Sequence, residues 1–417
     1  MTGEGARGPR RTPRRAPLGH VLALALLLSL AAATAARAGA VVVLQHQPGD
    51  ATRPWTWRLV IDHLPMIRAA GYTAVLLSPH QKACGGKLSL GYDPFDFRSF
   101  DSAHGTEAQL AELVRRAHAL RIQVYADMVL NHMCLNNFTY PRFSRRDFHT
   151  VGTIRDFNDQ FQVENGALSG LEDLKHESPY VRGELWNFLV KTNNMGFDGY
   201  RWDAAKHVPR WFWSEHIVPN VRRWGKYNVG EVFSGDLGYL ASYIATGMAV
   251  TDYPLYFALR DQFRLGGNLA ALDGAGVAAA DGANALTFVQ NHDVGPPANR
   301  RLAQAFIAAY PGYPAFFDVD LQDAALNNLV WIQNTLASGP YVNRYKDADT
   351  IVFSRGDRLL AGINQRGAWV SHWVQTPWRN TPLHDYAGQV ADERTNADGW
   401  VELWIPPLGY VMMAPPR

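Results

Sequence analysis

Cysteine is nearly absent from the 417-residue chain, which holds only Cys84 and Cys134. Neither has a second cysteine at CxxC spacing, so a structural zinc site is excluded, as is the staple framework of a small disulfide-rich fold. In an exported protein the two can pair, and they can equally persist as partly buried thiols. A surplus of one charge is missing as well. Lys and Arg number 40 against 38 Asp and Glu, but residues 1–38 hold six arginines (Arg7, Arg10, Arg11, Arg14, Arg15 and Arg37) and one acid, Glu4. Setting that segment aside leaves 34 basic and 37 acidic side chains, too near balance to attract nucleic acid or an anionic membrane. No repeat, low-complexity tract or cofactor motif appears in the remainder. At 47% hydrophobic and 19% charged, the chain is too apolar for a disordered polymer and can bury a large core.

Long apolar runs are confined to one place, VLALALLLSLAAATAA from Val21 to Ala36. An Arg-rich stretch precedes it and small residues close it, the pattern of an export signal, with cleavage expected after Ala38 or, as second choice, after Ala40. Its strongly apolar part is shorter than the roughly 20 residues a membrane span needs, which makes an anchor the alternative. A twin-arginine signal at Arg14 and Arg15 is a weaker variant. The mature chain is expected to be secreted, extracellular, monomeric and free of the membrane.

Past the signal, short β-branched or apolar runs alternate with longer helical patterns, as in βα units around a parallel sheet. Strands are predicted at Val41–Leu44, Thr73–Ser78, Ile122–Met128, Phe197–Asp203, Tyr227–Val232, Met248–Tyr253, Ala285–Gln290 and Tyr313–Phe317. Eight of them suggest a closed barrel. The clearest helix runs from Thr106 to Leu120, with Leu110, Leu113, Val114 and Ala117 on one face and Thr106 placed to cap it. From about His132 to His176 the chain is long, polar and rich in Asn and Asp, as in a functional insertion. After about Gly339 the helical patterns stop, and runs such as TIVFSRG, WVELWIPP and GYVMMA suggest a small antiparallel β domain. The expected organisation is a signal at 1–38, a barrel at 39–339 with an insertion at about 132–176, and a β domain at 340–417.

Acidic residues recur at the ends of the proposed strands: Asp127 in DMVLNH, Asp203 in GYRWDAAKH, Glu231 in VGEVF and Asp293 in FVQNHD. Active sites of parallel barrels are built at that end. One such Asp alone is more often a helix cap or a structural acceptor; four in order, each with polar neighbours, are harder to dismiss. Converging carboxyl groups without a cofactor suit glycoside cleavage, in which one donates a proton to the leaving oxygen and another meets the developing positive carbon.

These segments resemble the four conserved regions of the α-amylase family of glycoside hydrolases: DMVLNH the first, GYRWDAAKH the second, GEVF the third and FVQNHD the fourth. GYDPFDF (Gly91–Phe97) and HGTEAQL (His104–Leu110) precede them in matching order. The resemblance implies a (β/α)8 TIM barrel with an inserted subdomain after strand 3 and a C-terminal antiparallel β-sandwich. It implies Asp203 as nucleophile, Glu231 as general acid then base, and Asp293 as the third carboxylate. Arg201, two residues before Asp203 and so on the same face, should keep the nucleophile ionised, and Glu231 needs a raised pKa to donate a proton near neutrality. Tyr92, His132, Arg201, Lys206, His207 and His292 match substrate-binding positions, Tyr92 as an aromatic platform. A calcium ion is implied, held by Asn131 and Asp173 with the backbone carbonyls of Glu164 and His207, oxygen donors suited to a hard cation. The residues near the eighth strand, PGYPAFFDVD, offer no Lys or Arg for a chloride, so chloride activation is not expected. Gln290 departs from the family, where many members carry an acid, and so does FDVDLQD after strand eight. The short β domain makes a separate raw-starch-binding domain unexpected.

The expected function is hydrolysis, with retention, of internal α-1,4 bonds in starch, glycogen or maltodextrins. One rival is a relative that forms maltooligosaccharides or transfers glycosyl groups; another, of a different class, is a carbohydrate-binding protein without catalysis, which the three intact carboxylates oppose.

Overall fold

A computed structural model describes residues 39–47, 50–317 and 319–417; the proposed signal at 1–38 lies outside the described residues. Eight parallel strands close into a barrel: β1 (Val41–Leu44), β2 (Ala74–Leu77), β3 (Gln123–Val129), β4 (Gly199–Asp203), β5 (Tyr227–Gly230), β6 (Ala249–Thr251), β7 (Ala285–Phe288) and β8 (Tyr313–Phe317). Each strand pairs with its sequence neighbours, and β1 pairs with β8. The (β/α)8 fold expected from the sequence is therefore borne out, and every predicted strand falls on an observed one. The period of two in each strand divides its residues between two cores. Leu76, Tyr125, Tyr227, Val229, Leu286 and Tyr313 fill the barrel interior. Val75, Val124, Met128, Tyr200, Trp202 and Val250 face outward beneath the helices.

The first two helices illustrate the outer layer. Helix α1 (Trp57–Ala69) is capped by Thr56, whose Oγ accepts from the Leu59 N–H. Helix α2 (Glu107–Ala119) begins with a reciprocal capping box between Thr106 and Gln109, and it buries Leu110, Leu113, Val114 and Ala117. Removing such a cap costs about 1 kcal/mol.

After β3 the chain leaves the barrel until the helix Pro179–Asn194. This insertion carries only short elements, among them an antiparallel pair of His132–Met133 with Glu172–Asp173 and the helix Gln160–Asn165. Cys84 and Cys134 are joined in a disulfide that ties the start of the insertion to the loop after β2, so the paired alternative is the one realised.

Beyond the barrel, a six-stranded antiparallel sheet and a two-stranded ribbon form the C-terminal β domain. In the strand Leu359–Asn364, Leu359, Ala361 and Ile363 pack against the barrel helices, while Leu360 packs under the ribbon. One face of this sheet thus docks the domain and the other face builds its own core. Among the described residues, no helix is long and apolar enough to cross a membrane.

Candidate active site

Strand parity carries the site residues to the top of the barrel. Asp127 follows Tyr125 by two positions and Glu231 follows Val229 by two, so both share a face with interior residues. On β4 the inward series is Gly199, Arg201 and Asp203. Gly199 leaves room below: a Cβ there would stand 2.8 Å from Tyr125 Cδ1 and 2.9 Å from Tyr227 Cβ. Register sets Arg201 beside Asp127 on β3 and Val229 on β5.

One guanidinium then meets three carboxylates. Arg201 Nη1 donates to Asp127 Oδ1 and Oδ2 at 2.8 and 2.9 Å and to Asp203 Oδ1 at 2.8 Å. Its Nη2 lies 3.0 Å from Glu231 Oε1. All four residues are buried. Further donors complete Glu231: the Tyr253 hydroxyl to Oε1 at 3.0 Å and the Ala204 N–H to Oε2 at 2.9 Å. Ala204 holds the left-handed conformation, φ 48°, which costs a non-glycine residue about 1–2 kcal/mol. That turn, immediately after Asp203, aims its N–H at Glu231. Asn291 Nδ2 donates to the Tyr253 hydroxyl at 3.0 Å, fixing that tyrosine in turn.

Above this layer opens a cleft of about 640 Å³. Asp203, Glu231 and Asp293 all line it, with Tyr92, His132, Lys206, His207 and His292. Arg201, read from the sequence as substrate-binding, lies beneath the cleft with its charge taken by carboxylates. The Tyr92 ring stacks on His292 with centroids 4.7 Å apart, and its hydroxyl donates to Asp127 Oδ2 at 2.7 Å. His132 bonds the Tyr92 carbonyl through Nε2 at 2.9 Å and Asn131 Nδ2 through Nδ1 at 3.2 Å, so its ring nitrogens hold the cleft wall. His207 Nδ1 bonds the Val163 carbonyl at 3.0 Å. Burial lowers the pKa of His132 and of His207 to about 4, so both imidazoles are neutral at pH 7. Lys206 Nζ donates to the Phe233 carbonyl at 3.1 Å. Gln290 sits in a smaller cavity below the cleft, where its Nε2 donates to the Phe317 carbonyl at 3.4 Å.

Sequence reasoning did not single out Phe157, Leu168 and Leu171 of the insertion, which wall the cleft, nor Phe233 and Tyr253. Parity was available for the last two, since Phe233 continues the series Tyr227, Val229, Glu231, and Tyr253 follows Ala249 and Thr251. The insertion residues have no period to read.

The protonation pattern differs from the sequence expectation. Burial raises the Glu231 carboxyl, but Arg201, His292, the Ala204 N–H and the Tyr253 hydroxyl together bring it down to about 2. Burial holds Asp203 well above the usual carboxylate range; Arg201 opposes this, and Glu231 and Asp127 reinforce it. Asp293 is raised to about 6 by burial and by Glu231. The reason is the charge count: one guanidinium cannot neutralise three buried carboxylates, so the set keeps protons that an isolated ion pair would lose. Glu231 has the most donors and is the last to take one.

The oxygen donors implied for calcium can be tested against the geometry. Asn131 Oδ1 and Asp173 Oδ1 are both buried without a hydrogen-bond partner. They are neighbours through the His132 to Asp173 bridge and the Leu174 N–H to Asn131 O bond of 3.0 Å. The His207 to Val163 bond brings the segments bearing the Glu164 and His207 carbonyls together. Among the described residues no group of three or more His, Cys, Asp or Glu gathers as a metal site, but a donor set of amide, carboxylate and carbonyl oxygens needs none. The residues fit a hard cation.

Comparison with known proteins gives two matches to one family. The family model described as alpha amylase, catalytic domain, matches residues 46–227, and the one described as alpha-amylase C-terminal matches residues 359–413. A beta/alpha-amylase of Paenibacillus polymyxa is 35% identical over 214 residues, 49% of this chain but only 18% of that protein's length. An alpha-amylase of Aeromonas hydrophila is 27% identical over 397 residues, covering 77% of this chain and 85% of the relative. Among solved structures, the alpha-amylase from Geobacillus thermoleovorans complexed with acarbose aligns with a TM-score of 0.78 at 25% identity, over 90% of this chain and 97% of that one. A gamma-CGTase from alkalophilic Bacillus clarkii has a TM-score of 0.79 at 18% identity and shares the fold.

Proposed function

Because the chain belongs to the α-amylase family of glycoside hydrolases, we propose that it is a secreted enzyme hydrolysing internal α-1,4-glucosidic bonds of starch, glycogen or maltodextrins with retention. The observation that carries this reading is the convergence of Asp203, Glu231 and Asp293 on one cleft, with Asp203 and Glu231 bridged by a single guanidinium. Sharing one planar cation favours the closer carboxylate spacing of retaining enzymes, roughly 5–5.5 Å, over the gap of about 6.5–9.5 Å that admits a water.

In the first step Asp203 attacks the anomeric carbon with the oxygen that Arg201 does not hold. Glu231 gives its proton to the glycosidic oxygen as that bond breaks, leaving an ester between Asp203 and the sugar. A water then loses a proton to Glu231 and attacks the same carbon, which frees Asp203 and restores the acid. The reactive arrangement therefore has Glu231 protonated and Asp203 ionised, the reverse of the resting preference. Passing a proton within the set reaches it without uptake from solvent. A sugar oxygen beside Glu231 favours this state because it needs a donor there. Asp293 suits hydrogen bonding to sugar hydroxyls, and the Tyr92 ring suits the apolar face of a pyranose.

Calcium is part of the proposal, held by Asn131, Asp173 and the Glu164 and His207 carbonyls. When bound it supplies a structural tie between insertion and barrel. Export also belongs here, and Ala40 bears on the cleavage site. Its carbonyl accepts from the Thr73 N–H at 3.1 Å and it is fully buried, so cleavage after Ala38 spares a residue of the folded barrel.

The test is product analysis on amylose, pullulan and short maltooligosaccharides, with Asp203→Asn and Glu231→Gln as controls. The reading expects shorter α-glucans from the wild type and near-complete loss in both folded variants, a general acid alone being worth roughly 10²–10⁴-fold. Substantial activity in either variant removes that residue from the mechanism. Tight oligosaccharide binding without reducing-sugar release overturns the enzymatic reading.

A further inference from the structure

The C-terminal domain presents an aromatic surface that the cleft does not use. Among the described residues five tryptophans are exposed, and four of them lie in or beside one ribbon: Trp369 (53% exposed), Trp373 (60%), Trp400 (39%) and Trp404 (43%). Val370–Gln375 pairs antiparallel with Trp400–Ile405, setting Ser371 opposite Trp404, Trp373 opposite Glu402 and Gln375 opposite Trp400. Alternation puts these six side chains on one face. The other face supplies Val374, Val401, Leu403 and Ile405 to the domain core, all fully buried or nearly so. Trp373 thus lies diagonally between Trp400 and Trp404, which are about 14 Å apart along the strand at roughly 3.4 Å per residue.

This grouping is not the ordinary scatter of single exposed apolar residues. Beside the ribbon, Trp369 and Trp404 wall a cavity of about 560 Å³ with Gln389, Val390, Ala391 and Glu393. Burial raises the Glu393 carboxyl, and Glu402 adds to the shift; Glu393 lines this wall with Trp404 and Glu402 shares the ribbon face, so the surface carries two acids. That charge repels an anionic lipid surface or a nucleic acid. It does not repel a neutral polyhydroxylated chain, whose C–H faces stack on indoles and whose hydroxyls donate to Glu and Gln acceptors, an apolar site with a few placed polar groups.

We propose that Trp369, Trp373, Trp400 and Trp404, with Glu393, Glu402 and Gln389, form a second α-glucan-binding surface, distinct in its residues from the catalytic cleft, which holds polymeric substrate during hydrolysis. The proposal rests on the α-glucan reading of the cleft. It locates polymer binding within the β domain itself, where the sequence suggested no starch-binding module.

The experiment is native affinity electrophoresis of the full chain through gels containing amylopectin or, as control, dextran. It compares Asp203→Asn alone with Asp203→Asn carrying Trp369→Ala and Trp404→Ala, and with Asp203→Asn carrying Trp373→Ala as a milder change should the double substitution not fold. Retardation by amylopectin and not dextran is expected for Asp203→Asn, weakening about tenfold when the two indoles are removed. In the wild-type background the tryptophan substitutions should leave kcat/KM on a short soluble maltooligosaccharide unchanged and lower the rate on amylopectin or granular starch. Undiminished retardation in the folded tryptophan variants overturns the proposal. So does a change in sedimenting mass with retardation intact, which marks the ribbon as a contact between copies. Failure of the cleft reading is seen separately, as absence of α-glucan hydrolysis by the wild type.

Discussion

Replacing Arg201 by Gln removes the one cation shared by Asp127, Asp203 and Glu231, whose oxygens lie 2.8 to 3.0 Å from its nitrogens. Unit charges about 4 Å apart at an effective dielectric near 20 attract by about 4 kcal/mol, which is roughly three pKa units for each carboxyl. Every carboxyl pKa in the set should climb, Glu231 from about 2 and Asp203 from a value already above normal. Less Asp203 is then ionised at a given pH, so the acid limb of kcat/KM moves to higher pH and activity at neutrality falls. Three buried carboxylates left without their cation should also cost about 3–5 kcal/mol of stability unless they take up protons. The loss of melting temperature should accordingly be larger at pH 8 than at pH 5. Arg201→Lys, which keeps the charge but not the fork, should shift the acid limb less and still lose activity. The assay is kcat/KM on a soluble maltooligosaccharide from pH 4 to 9, with thermal denaturation at both ends. An unmoved acid limb with wild-type activity in folded Arg201→Gln would refute the charge-sharing account.

Three further outcomes follow from the same geometry. Asp293 has a folded pKa raised to about 6, so its ionisation opposes folding progressively between the ordinary carboxylate range near 4 and that value. Asp293→Asn should abolish most activity yet raise the melting temperature at pH 7.5, with no gain at pH 4; a gain independent of pH contradicts this assignment. The Cys84 to Cys134 disulfide closes a separation of 50 residues, worth about 4 kcal/mol of chain entropy, and the double Ser variant should melt earlier under oxidising conditions, while reduction should leave that variant's melting temperature unaltered. Chelation should lower the melting temperature and loosen the insertion to protease, calcium should restore both, and Asp173→Ala should make the protein indifferent to chelator; an unchanged wild type removes the metal from the account.

The barrel was legible because each strand is a short β-branched or apolar run with turn signals at both ends, and a strand that closes a barrel must be apolar on both faces. Val41–Leu44 and Tyr313–Phe317 coincide with their predicted limits, and the others are shorter by a residue or two at an end or displaced by one. Helix α2 was equally plain, since its cap, its first turn and its buried stripe all point to one conformation. Asp203 and Glu231 were legible as residues, because strand ends and inward parity can be read together; Asp293, beyond the end of β7 at Phe288, was legible only through the segment FVQNHD. Their protonation was not: the low pKa of Glu231 depends on Arg201 and the Ala204 N–H at the end of β4, on Tyr253 after β6 and on His292 after β7, and only closure of the barrel brings them together. The insertion walls hid for a related reason, Phe157, Leu168 and Leu171 having no period to betray a shared face. The tryptophans stood in plain sight in WVELWIPP, but whether an indole on a ribbon faces water or core is decided by which side its partner sheet covers.

If Asp203 forms a covalent bond to the sugar while Glu231 passes the proton, as proposed, the stereochemical record is the first anomer released. Proton NMR of a maltooligosaccharide digest, taken before mutarotation, should show the α-anomer of the new reducing end appearing first and decaying toward equilibrium. The β-anomer appearing first would mean direct displacement by water, and the assignment of Asp203 as nucleophile would be wrong.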